Sequence, residues 1–360
     1  MTKSNPSPWT LQIAVVAGIP IRLHFTLLLF FTWIALTSSE QRGLIWPLFL
    51  VALFGCVLLH ELGHALTARR YGIRTNDITL YPMGGIATID GRPTGKQELL
   101  IAAAGPAVNL LIALTLLPVI FFTEHRLPDP STELSRVTIL DALLFGNLSL
   151  ALFNLIPAFP MDGGRILRAI LSTRMPLERA TKISVGIGQS LAIVFGFVGL
   201  IRHEPIWMLV AFFVFVAASA ELSTTVGRSL LAGHVAQDAM QTRFQTIQSG
   251  DTLDDAAKML LEGSQHDFPV VFGEEVLGIL SRTAIVQGLS AHGPSAYVAG
   301  HMNRNYKQAR PDVPLEEIAE MLPSGGRSPI LVMKNDALLG MITSENLSEF
   351  IVLEHARSKR

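Results

Sequence analysis

Hydrophobic residues dominate the first 220 positions of the chain in six long runs that lack Asp, Glu, Lys and Arg. These runs lie near residues 23–39, 43–59, 99–123, 142–161, 183–201 and 205–220. A helix needs about 20 mostly apolar residues to cross a bilayer, and about 17 are enough. The pattern therefore predicts an α-helical polytopic membrane protein with six transmembrane helices. The second helix is expected to continue past residue 59 into a charged segment.

The Lys and Arg residues between the runs indicate which side of the membrane each loop faces, because short cytoplasmic loops carry an excess of them. With a cytoplasmic N-terminus, the inner segments hold twelve of these residues and the outer loops hold four. The inner ones are Lys3, Arg22, Arg69, Arg70, Arg74, Arg92, Lys96, Arg165, Arg168, Arg174, Arg179 and Lys182, and the outer ones are Arg42, Arg126, Arg136 and Arg202. The sequence predicts an integral protein of the cell membrane with both termini in the cytoplasm.

A short segment between the second and third runs, from Asp77 to Asp90, alternates between apolar and polar side chains. Such alternation is typical of strands, and Gly84-Gly85 offers a turn. We expect a small membrane-associated β-hairpin or sheet here. Its edge could pair with an extended peptide by strand addition, or the hairpin could be a plain connection. The residues alone leave both readings open.

Composition narrows the classes of function. Charged residues make up only 16% of the chain and the mean hydropathy is +0.42, which excludes a wholly soluble protein. The formal net charge of -1 argues against the basic face of a nucleic-acid binder, so no nucleic-acid partner is expected. A single cysteine, Cys56, excludes an internal disulfide framework.

The last third of the chain contains one pattern twice, at an offset of about 60 residues. Each copy has a short helix, an apolar strand, a turn near Gly273 or Asn335, and a second strand that ends in Gly-x-x-Ser/Thr. This duplication resembles a pair of cystathionine-β-synthase (CBS) domains, an α/β regulatory module, at about 235–290 and 298–355. We therefore expect a membrane domain at 1–225 and a cytoplasmic CBS pair at 226–360.

The CBS resemblance implies two alternatives for the tail. CBS pairs often bind adenine nucleotides, with an Asp three residues after the Ser/Thr holding the ribose. Here Ser281 and Thr343 are present, but Ala284 and Asn346 stand at the Asp positions. The pair either binds an adenine nucleotide without that carboxylate or serves as a folded module for homodimerisation or docking.

Candidate chemistry begins where the second run ends, at His60-Glu61-Leu62-Gly63-His64. Residues four apart lie on one face of a helix, so His60 and His64 can point nitrogens at one metal ion. This is the H-E-x-x-H arrangement of zinc metalloproteases, in which the glutamate between them acts as general base. Glu61 is the expected base. Two core histidines with ordinary hydrogen bonds are the alternative, but they leave Glu61 unexplained inside an apolar helix.

A catalytic zinc requires a third protein ligand. Glu98 has a suitable side chain, but its polar flanks suggest the water-exposed end of the third span. Asp162 is the better candidate, because Pro157 and Pro160 break the helix before it and two glycines follow it. A carboxylate there could turn inward to the depth of His60. Asp162 could otherwise only cap a cytoplasmic helix.

At these residues the chain resembles the site-2 protease family of intramembrane zinc metalloproteases. The matching motifs are HELGH at 60–64, AAAGPAVN at 102–109 and FNLIPAFPMDGGR at 153–165. The resemblance covers nearly the whole chain and is greatest to the six-span branch with a cytoplasmic CBS pair. It implies zinc on His60, His64 and Asp162, Glu61 as the base, and Asn154 in contact with the substrate or the oxyanion.

Together these features predict a zinc metalloendopeptidase that cleaves single-span or other transmembrane substrates within the lipid bilayer, in regulated intramembrane proteolysis. A CBS-regulated transporter would explain the spans and the tail, but not Glu61 between two histidines. An inactive scaffold relative is the remaining alternative, which the intact motif disfavours.

Overall fold

The computed structural model describes residues 9–37, 45–91, 93–125, 127–128, 138–322 and 328–358. The chain forms two compact units, Met1–Thr225 and Val226–Arg360. Five residues of the predicted charge asymmetry lie outside the described residues, namely Lys3, Arg42, Arg92, Arg126 and Arg136.

The first unit is mainly helical. Its helices are α1 Phe25–Thr37, α2 Ile45–Arg70, α3 Lys96–Glu124, α4 Ile139–Asn154, α5 Asp162–Leu171, α6 Leu177–Ile201 and α7 Pro205–Leu231. The residues of α7 after Thr225 belong to the second unit. Within the described residues, four of these helices are long and apolar enough to cross a membrane: α2, α3, α6 and α7. The apolar helices α1 and α4 are shorter, at 13 and 16 residues. The class of a helical membrane protein is therefore confirmed, whereas the count of six spans remains a prediction.

Several helix ends differ from the expected ones. The first apolar run includes Leu23 and His24, but these residues belong to a strand and α1 begins at Phe25. The fourth run extends to residue 161, but α4 ends at Asn154. Proline cannot donate a backbone hydrogen bond, so Pro157 and Pro160 prevent the helix from continuing through this segment. The extension of α2 beyond residue 59 is confirmed, since this helix reaches Arg70.

A four-stranded sheet lies in the same unit. Its strands are β1 Thr10–Val16, β2 Ile19–His24, β3 Arg74–Tyr81 and β4 Gly84–Asp90, in the order β1-β2-β3-β4. Strands β2 and β3 are parallel, and the other two pairs are antiparallel. The predicted hairpin is present, but its turn lies at Pro82-Met83 instead of Gly84-Gly85, because both glycines belong to β4 and pair with residues of β3.

The sheet is anchored to the helix that carries the histidines. Ile21 of β2 and Ile78 of β3 are fully buried, in one hydrophobic core with Leu27 of α1 and with Leu62 and Ala65 of α2. Since burial of apolar surface is the main driving force of folding, this core holds the sheet beside the part of α2 that carries the HELGH motif. The strands β1 and β2 were not predicted from the sequence.

The second unit contains two related three-stranded sheets. The first is β5 Ile247–Gln248, β6 Asp267–Phe272 and β7 Glu275–Ser281, and the second is β8 Lys307–Ala309, β9 Ile330–Lys334 and β10 Ala337–Ile342. The helices are α8 Ala236–Ala239, α9 Leu253–Glu262, α10 Arg282–His292, α11 Leu315–Met321 and α12 Ser344–Ser358. The predicted turns are confirmed, with positive φ angles at Gly273 and Asn335.

The two copies exchange their opening segments. Ala236, at the start of the first copy, lies in the core formed by Leu315 and Ile330 of the second copy. Val298, at the start of the second copy, lies in the core of the first copy with Phe268 and Leu280. Each copy therefore completes the hydrophobic core of the other, which makes the pair one folding unit.

Candidate metal centre

The histidines of α2 lie side by side on the face that contacts α3. Their Nε2 atoms are 3.1 Å apart, and His60 is only 6% exposed. The helices approach closely here because α3 has a glycine at the contact: a Cβ atom on Gly105 would lie 2.7 Å from His60 Nε2. Gly63 has the same effect from α2, since its Cβ would lie 2.9 Å from the Val108 side chain.

Asp162 reaches the same point from another helix. It is the first residue of α5 and follows the turn that ends α4. Its Oδ2 atom lies 3.2 Å from His60 Nε2 and 3.1 Å from His64 Nε2. Gly163 and Gly164 permit this turn, because a Cβ on either would lie 2.5 Å or less from backbone atoms of the turn. The predicted meeting of Asp162 with the two histidines is present in the structure.

Hydrogen bonds determine which nitrogen of each ring carries a proton. His64 Nδ1 lies 2.7 Å from the carbonyl of Ile101, which can only accept, so Nδ1 donates. For His60 the position of the proton follows from two asparagines. Asn147 donates Nδ2 to the carbonyl of Leu143, so its Oδ1 accepts from Asn109 Nδ2. Asn109 Oδ1 therefore accepts from His60 Nδ1.

Neutral imidazoles protonated on Nδ1 present their Nε2 lone pairs to the centre. The Asp162 Oδ2 atom lies against both of these lone pairs. Three electron-rich atoms thus converge in a buried place, where a bound cation would offset their repulsion.

The spacing of the three atoms suits zinc. Tetrahedral zinc holds nitrogen and oxygen ligands at about 2.0–2.1 Å, which puts neighbouring ligand atoms about 3.3 Å apart. The observed separations are 3.1 and 3.2 Å. Among the His, Cys, Asp and Glu side chains that the structure describes, these three form a group able to hold a metal ion. The residues present therefore fit a catalytic zinc site with three protein ligands.

Glu61 lies beside this centre and is free to act. It makes no hydrogen bond and no ion pair with any residue in the described part of the chain. Strand β4 covers it closely, since a Cβ on Gly85 would lie 3.0 Å from Glu61 Cδ. A carboxylate next to a metal centre and without a partner is suited to accept a proton from water.

Comparison with known proteins decides the family. A model described as Peptidase family M50 matches residues 48–128 and 125–195, and a CBS domain model matches residues 235–291. A zinc metalloprotease of Methanocaldococcus jannaschii is 31% identical over 339 residues, which cover 94% of this chain and 95% of that protein. The chain belongs to peptidase family M50, the site-2 protease family.

Other relatives are similar along most of the chain. The protein Rip3 of Mycobacterium tuberculosis is 28% identical over 366 residues, covering 93% of this chain and 91% of Rip3. A solved site-2 protease from Methanocaldococcus jannaschii is 40% identical and covers 59% of this chain and 95% of that one, with a TM-score of 0.47. The predicted family is confirmed, and this M50 chain is a metalloprotease.

Glu98, the other candidate for the third ligand, lies outside the centre of this M50 peptidase. Glu98 was expected at the wet end of the third span, but it is only 4% exposed and forms an ion pair with Arg168. Glu98 lies in the first turn of α3, as its polar flanks suggested, and its side chain is buried because Arg168, from a distant position in the sequence, pairs with it. Cys56 is half-buried and not part of the metal-binding group.

Asn154 is the last residue of α4 and is half-buried. Its side chain makes no hydrogen bond to any residue that the structure describes. The structure thus leaves its amide available, and a contact with substrate or oxyanion remains a prediction for this residue.

Asn109 and Asn147 are site residues that the sequence reasoning missed. Both are fully buried, and they link His60 to α4. The available signal was a polar amide within each of two apolar runs, which inside a membrane marks either helix packing or function. Which of these roles applies depends on the packing of α2, α3 and α4, which a single sequence does not give.

Asn109→Ala is expected to raise the zinc dissociation constant about 10- to 100-fold, the usual effect of removing a partner of a metal-bound histidine. His60 Nδ1 would lose its acceptor, so the ring would no longer be held in one tautomer. Zinc competition with a chelator measures this. Gln189→Ala is the control, because it removes a 2.9 Å interhelical hydrogen bond to Ser219 instead. Unchanged affinity in Asn109→Ala, or an equal loss in the control, would contradict the assignment.

Gly105→Ala is expected to abolish zinc binding while the protein still folds. The new methyl would lie 2.5 Å from His64 Cε1 and would push the rings apart. Bound zinc per folded molecule, with helicity from circular dichroism, is the measurement. Gly186→Ala in α6 is a matched control, since a Cβ there meets nothing within 4 Å. A Gly105→Ala protein with a full complement of zinc would show that α3 does not crowd the centre.

Proposed function

We propose that this chain hydrolyses a peptide bond within or next to a membrane-spanning segment of another membrane protein, with zinc on His60, His64 and Asp162. The observation that carries the proposal is the convergence of two Nε2 atoms and one carboxylate oxygen within 3.2 Å, beside an unpaired Glu61 on an apolar helix.

The chemistry follows from the residues around the centre. Zinc bound there would supply a Lewis acid that activates water and polarises the scissile carbonyl. Glu61 accepts the proton of the attacking water on its carboxylate and returns it to the nitrogen of the leaving amine. Asn154 donates its side-chain amide to the oxyanion or to the substrate backbone.

The substrate has to be extended when it reaches Glu61, because the carbonyls of a helix are engaged in its own hydrogen bonds. Strand β4 supports this step. It is an edge strand of the described sheet, and its Gly85 lies against Glu61. An unwound substrate segment pairs with this edge by strand addition and thereby satisfies its backbone groups.

The remaining features of the proposal concern topology. The chain crosses the cell membrane six times with both termini in the cytoplasm, and α1 and α4 are the two shorter spans. The apolar character of α1 and α4 and the distribution of Lys and Arg support this arrangement. The first 225 residues act as the protease domain, and 226–360 as a cytoplasmic CBS pair.

We propose that the CBS pair regulates the protease by dimerisation or docking instead of by binding a nucleotide. Ala284 has no polar side-chain group, and the Asn346 Oδ1 atom accepts a hydrogen bond from the hydroxyl of Thr343 at 2.8 Å. Calorimetry of the full-length protein with ATP, ADP and AMP is expected to detect no binding heat. Saturable heat with any of them would contradict this role.

Reconstitution tests the proposed activity. The purified chain and a single-span substrate are placed in the same liposomes, and mass spectrometry locates the cut. Cleavage is expected within or beside the membrane segment, to stop after removal of metal by a chelator, and to return with zinc. A substrate with Gly and Pro near the cut is expected to react faster than one with Leu there. Cleavage that ignores the chelator would contradict the proposal, and ion flux without cleavage would favour a transporter.

A further inference from the structure

A second group of buried charges lies near the metal centre and plays no part in the chemistry proposed above. Arg168 of α5 donates its Nε to Glu98 Oε1 at 2.9 Å, and its Nη2 donates to the same oxygen. Its Nη1 donates to Glu221 Oε1 of α7 at 2.6 Å. The side chains of Arg168 and Glu98 are only 12% and 5% exposed.

Stability alone does not explain this group of buried charges. Taking charges out of water is costly, and a buried ion pair often stabilises a protein no better than an apolar substitute. A planar guanidinium, however, can hold two carboxylates at once in a fixed geometry. The triad Glu98–Arg168–Glu221 thus joins α3, α5 and α7, and the planar guanidinium fixes the directions of the hydrogen bonds between them.

The first arm of the triad connects the two helices that define the metal centre. Glu98 lies three residues, about one turn, before Ile101, whose carbonyl accepts the hydrogen bond from His64. Arg168 lies six residues after Asp162 in a helix of ten residues. The ion pair therefore fixes α5, which carries Asp162, relative to the part of α3 that orients His64.

The third contact of Arg168 is with the turn that precedes Asp162. Its guanidinium carbon lies 4.8 Å from the centre of the Phe159 ring. Phe159 is 1% exposed and packs against Val185 of α6 and Ala218 of α7. Ala218 lies one turn before Glu221 on α7. Arg168 of α5 and Phe159 of the preceding turn therefore both contact the same part of α7.

We propose that Arg168 is a positioning residue of the metal centre, which through Glu98 and Glu221 holds α5 and its preceding turn so that Asp162 meets His60 and His64. This inference rests on the proposed zinc site. None of the hydrogen bonds and ion pairs of Arg168 with the described residues involves His60, His64 or Asp162.

The test compares variants for zinc affinity per folded molecule, thermal stability and the absorption spectrum of the Co²⁺-substituted protein. Arg168→Gln is expected to weaken zinc binding about tenfold or more, in the range found for outer partners of metal ligands. The Co²⁺ bands are expected to shift, and kcat is expected to fall more than KM rises. Arg168→Lys keeps the positive charge but lacks the planar guanidinium that pairs with two carboxylates, so it is expected to keep only part of the wild-type zinc affinity.

The control is an exposed ion pair of the same unit. Lys182 and Glu178 of α6 are joined at 2.6 Å and are 56% and 37% exposed, so Lys182→Gln is expected to change neither zinc affinity nor the Co²⁺ spectrum. Glu221→Gln removes the charge of one carboxylate that pairs with Arg168. Because the Glu221 side chain is 26% exposed, we expect this variant to lose less folding stability than Arg168→Gln. Its expected effect on affinity is smaller than that of Arg168→Gln and in the same direction.

The outcomes separate this inference from the zinc site itself. Wild-type protein that binds no zinc would overturn the proposed function. Wild-type zinc affinity and an unchanged Co²⁺ spectrum in folded Arg168→Gln would overturn the positioning role, even if the melting temperature fell. If Arg168→Gln does not fold, the same readouts on Arg168→Lys and Glu221→Gln decide, and wild-type values in both would overturn the role.

Discussion

Glu61→Gln is expected to abolish peptide hydrolysis while the protein still binds one zinc ion. In the proposed mechanism the carboxylate is the base for the attacking water and the acid for the leaving amine, and a glutamine has the same shape but accepts no proton. General acid–base catalysis is worth about 10²- to 10⁴-fold, so the rate is expected to fall by at least that factor. The measurement is cleavage of a single-span substrate in liposomes, with bound zinc determined on the same preparation.

The matched control for this variant is Glu204→Gln, at an exposed position between α6 and α7. It is expected to cleave at the wild-type rate. Equal cleavage by wild type and Glu61→Gln would mean either that Glu61 is not the base or that a contaminating protease acts. Loss of zinc together with activity would instead assign Glu61 to the metal site.

Asp162→Asn is expected to lose zinc and, as a consequence, activity. The amide occupies the same volume but has no charge, so only His60 and His64 remain as protein ligands, one fewer than catalytic zinc sites use. We expect the zinc dissociation constant to rise by more than the about 10- to 100-fold seen for outer partners. Chelator competition and metal analysis after gel filtration measure the effect.

The fold of this variant is expected to survive, because the asparagine can donate a hydrogen bond to a bare Nε2 atom. Asp90→Asn is the control, since the Asp90 carboxylate lies at the far end of β4 and accepts a 2.6 Å hydrogen bond from Asn76. Wild-type zinc affinity in Asp162→Asn would remove the third ligand from the account.

The three residues of the proposed metal centre were predictable because each depends on local sequence. The spacing of His60 and His64 places them on one helix face whatever surrounds that helix. Asp162 follows two prolines and precedes two glycines, which mark a helix break with a tight turn. These local signals identified the three residues that the structure brings together.

What the sequence could not predict depends on contacts between distant segments. The orientation of His60 requires Asn109 and Asn147 from two other helices. The burial of Glu98 requires Arg168, 70 positions later in the chain. A hydropathy pattern reports the polarity of each position, but not which polar groups will meet.

The predicted ends of the helices were also inexact, because runs of apolar residues do not distinguish a helix from an adjoining strand or loop. Leu23 and His24 continue the apolar run of α1, so composition alone could not show that they belong to β2. That strand pairs in parallel with β3, which is more than 50 residues away. Helix α4 stops before its apolar run does, because the prolines, and not polarity, end it.

The most direct test of the account is X-ray absorption at the zinc edge on the purified, zinc-loaded protein, with Asp162→Asn for comparison. We expect four nitrogen and oxygen neighbours at about 2.0–2.1 Å, two of them imidazoles, and the loss of one oxygen neighbour or of the zinc itself in Asp162→Asn. A sulfur neighbour at about 2.3 Å, which only Cys56 or a methionine could supply, or an identical spectrum in the variant, would contradict a centre built from His60, His64 and Asp162.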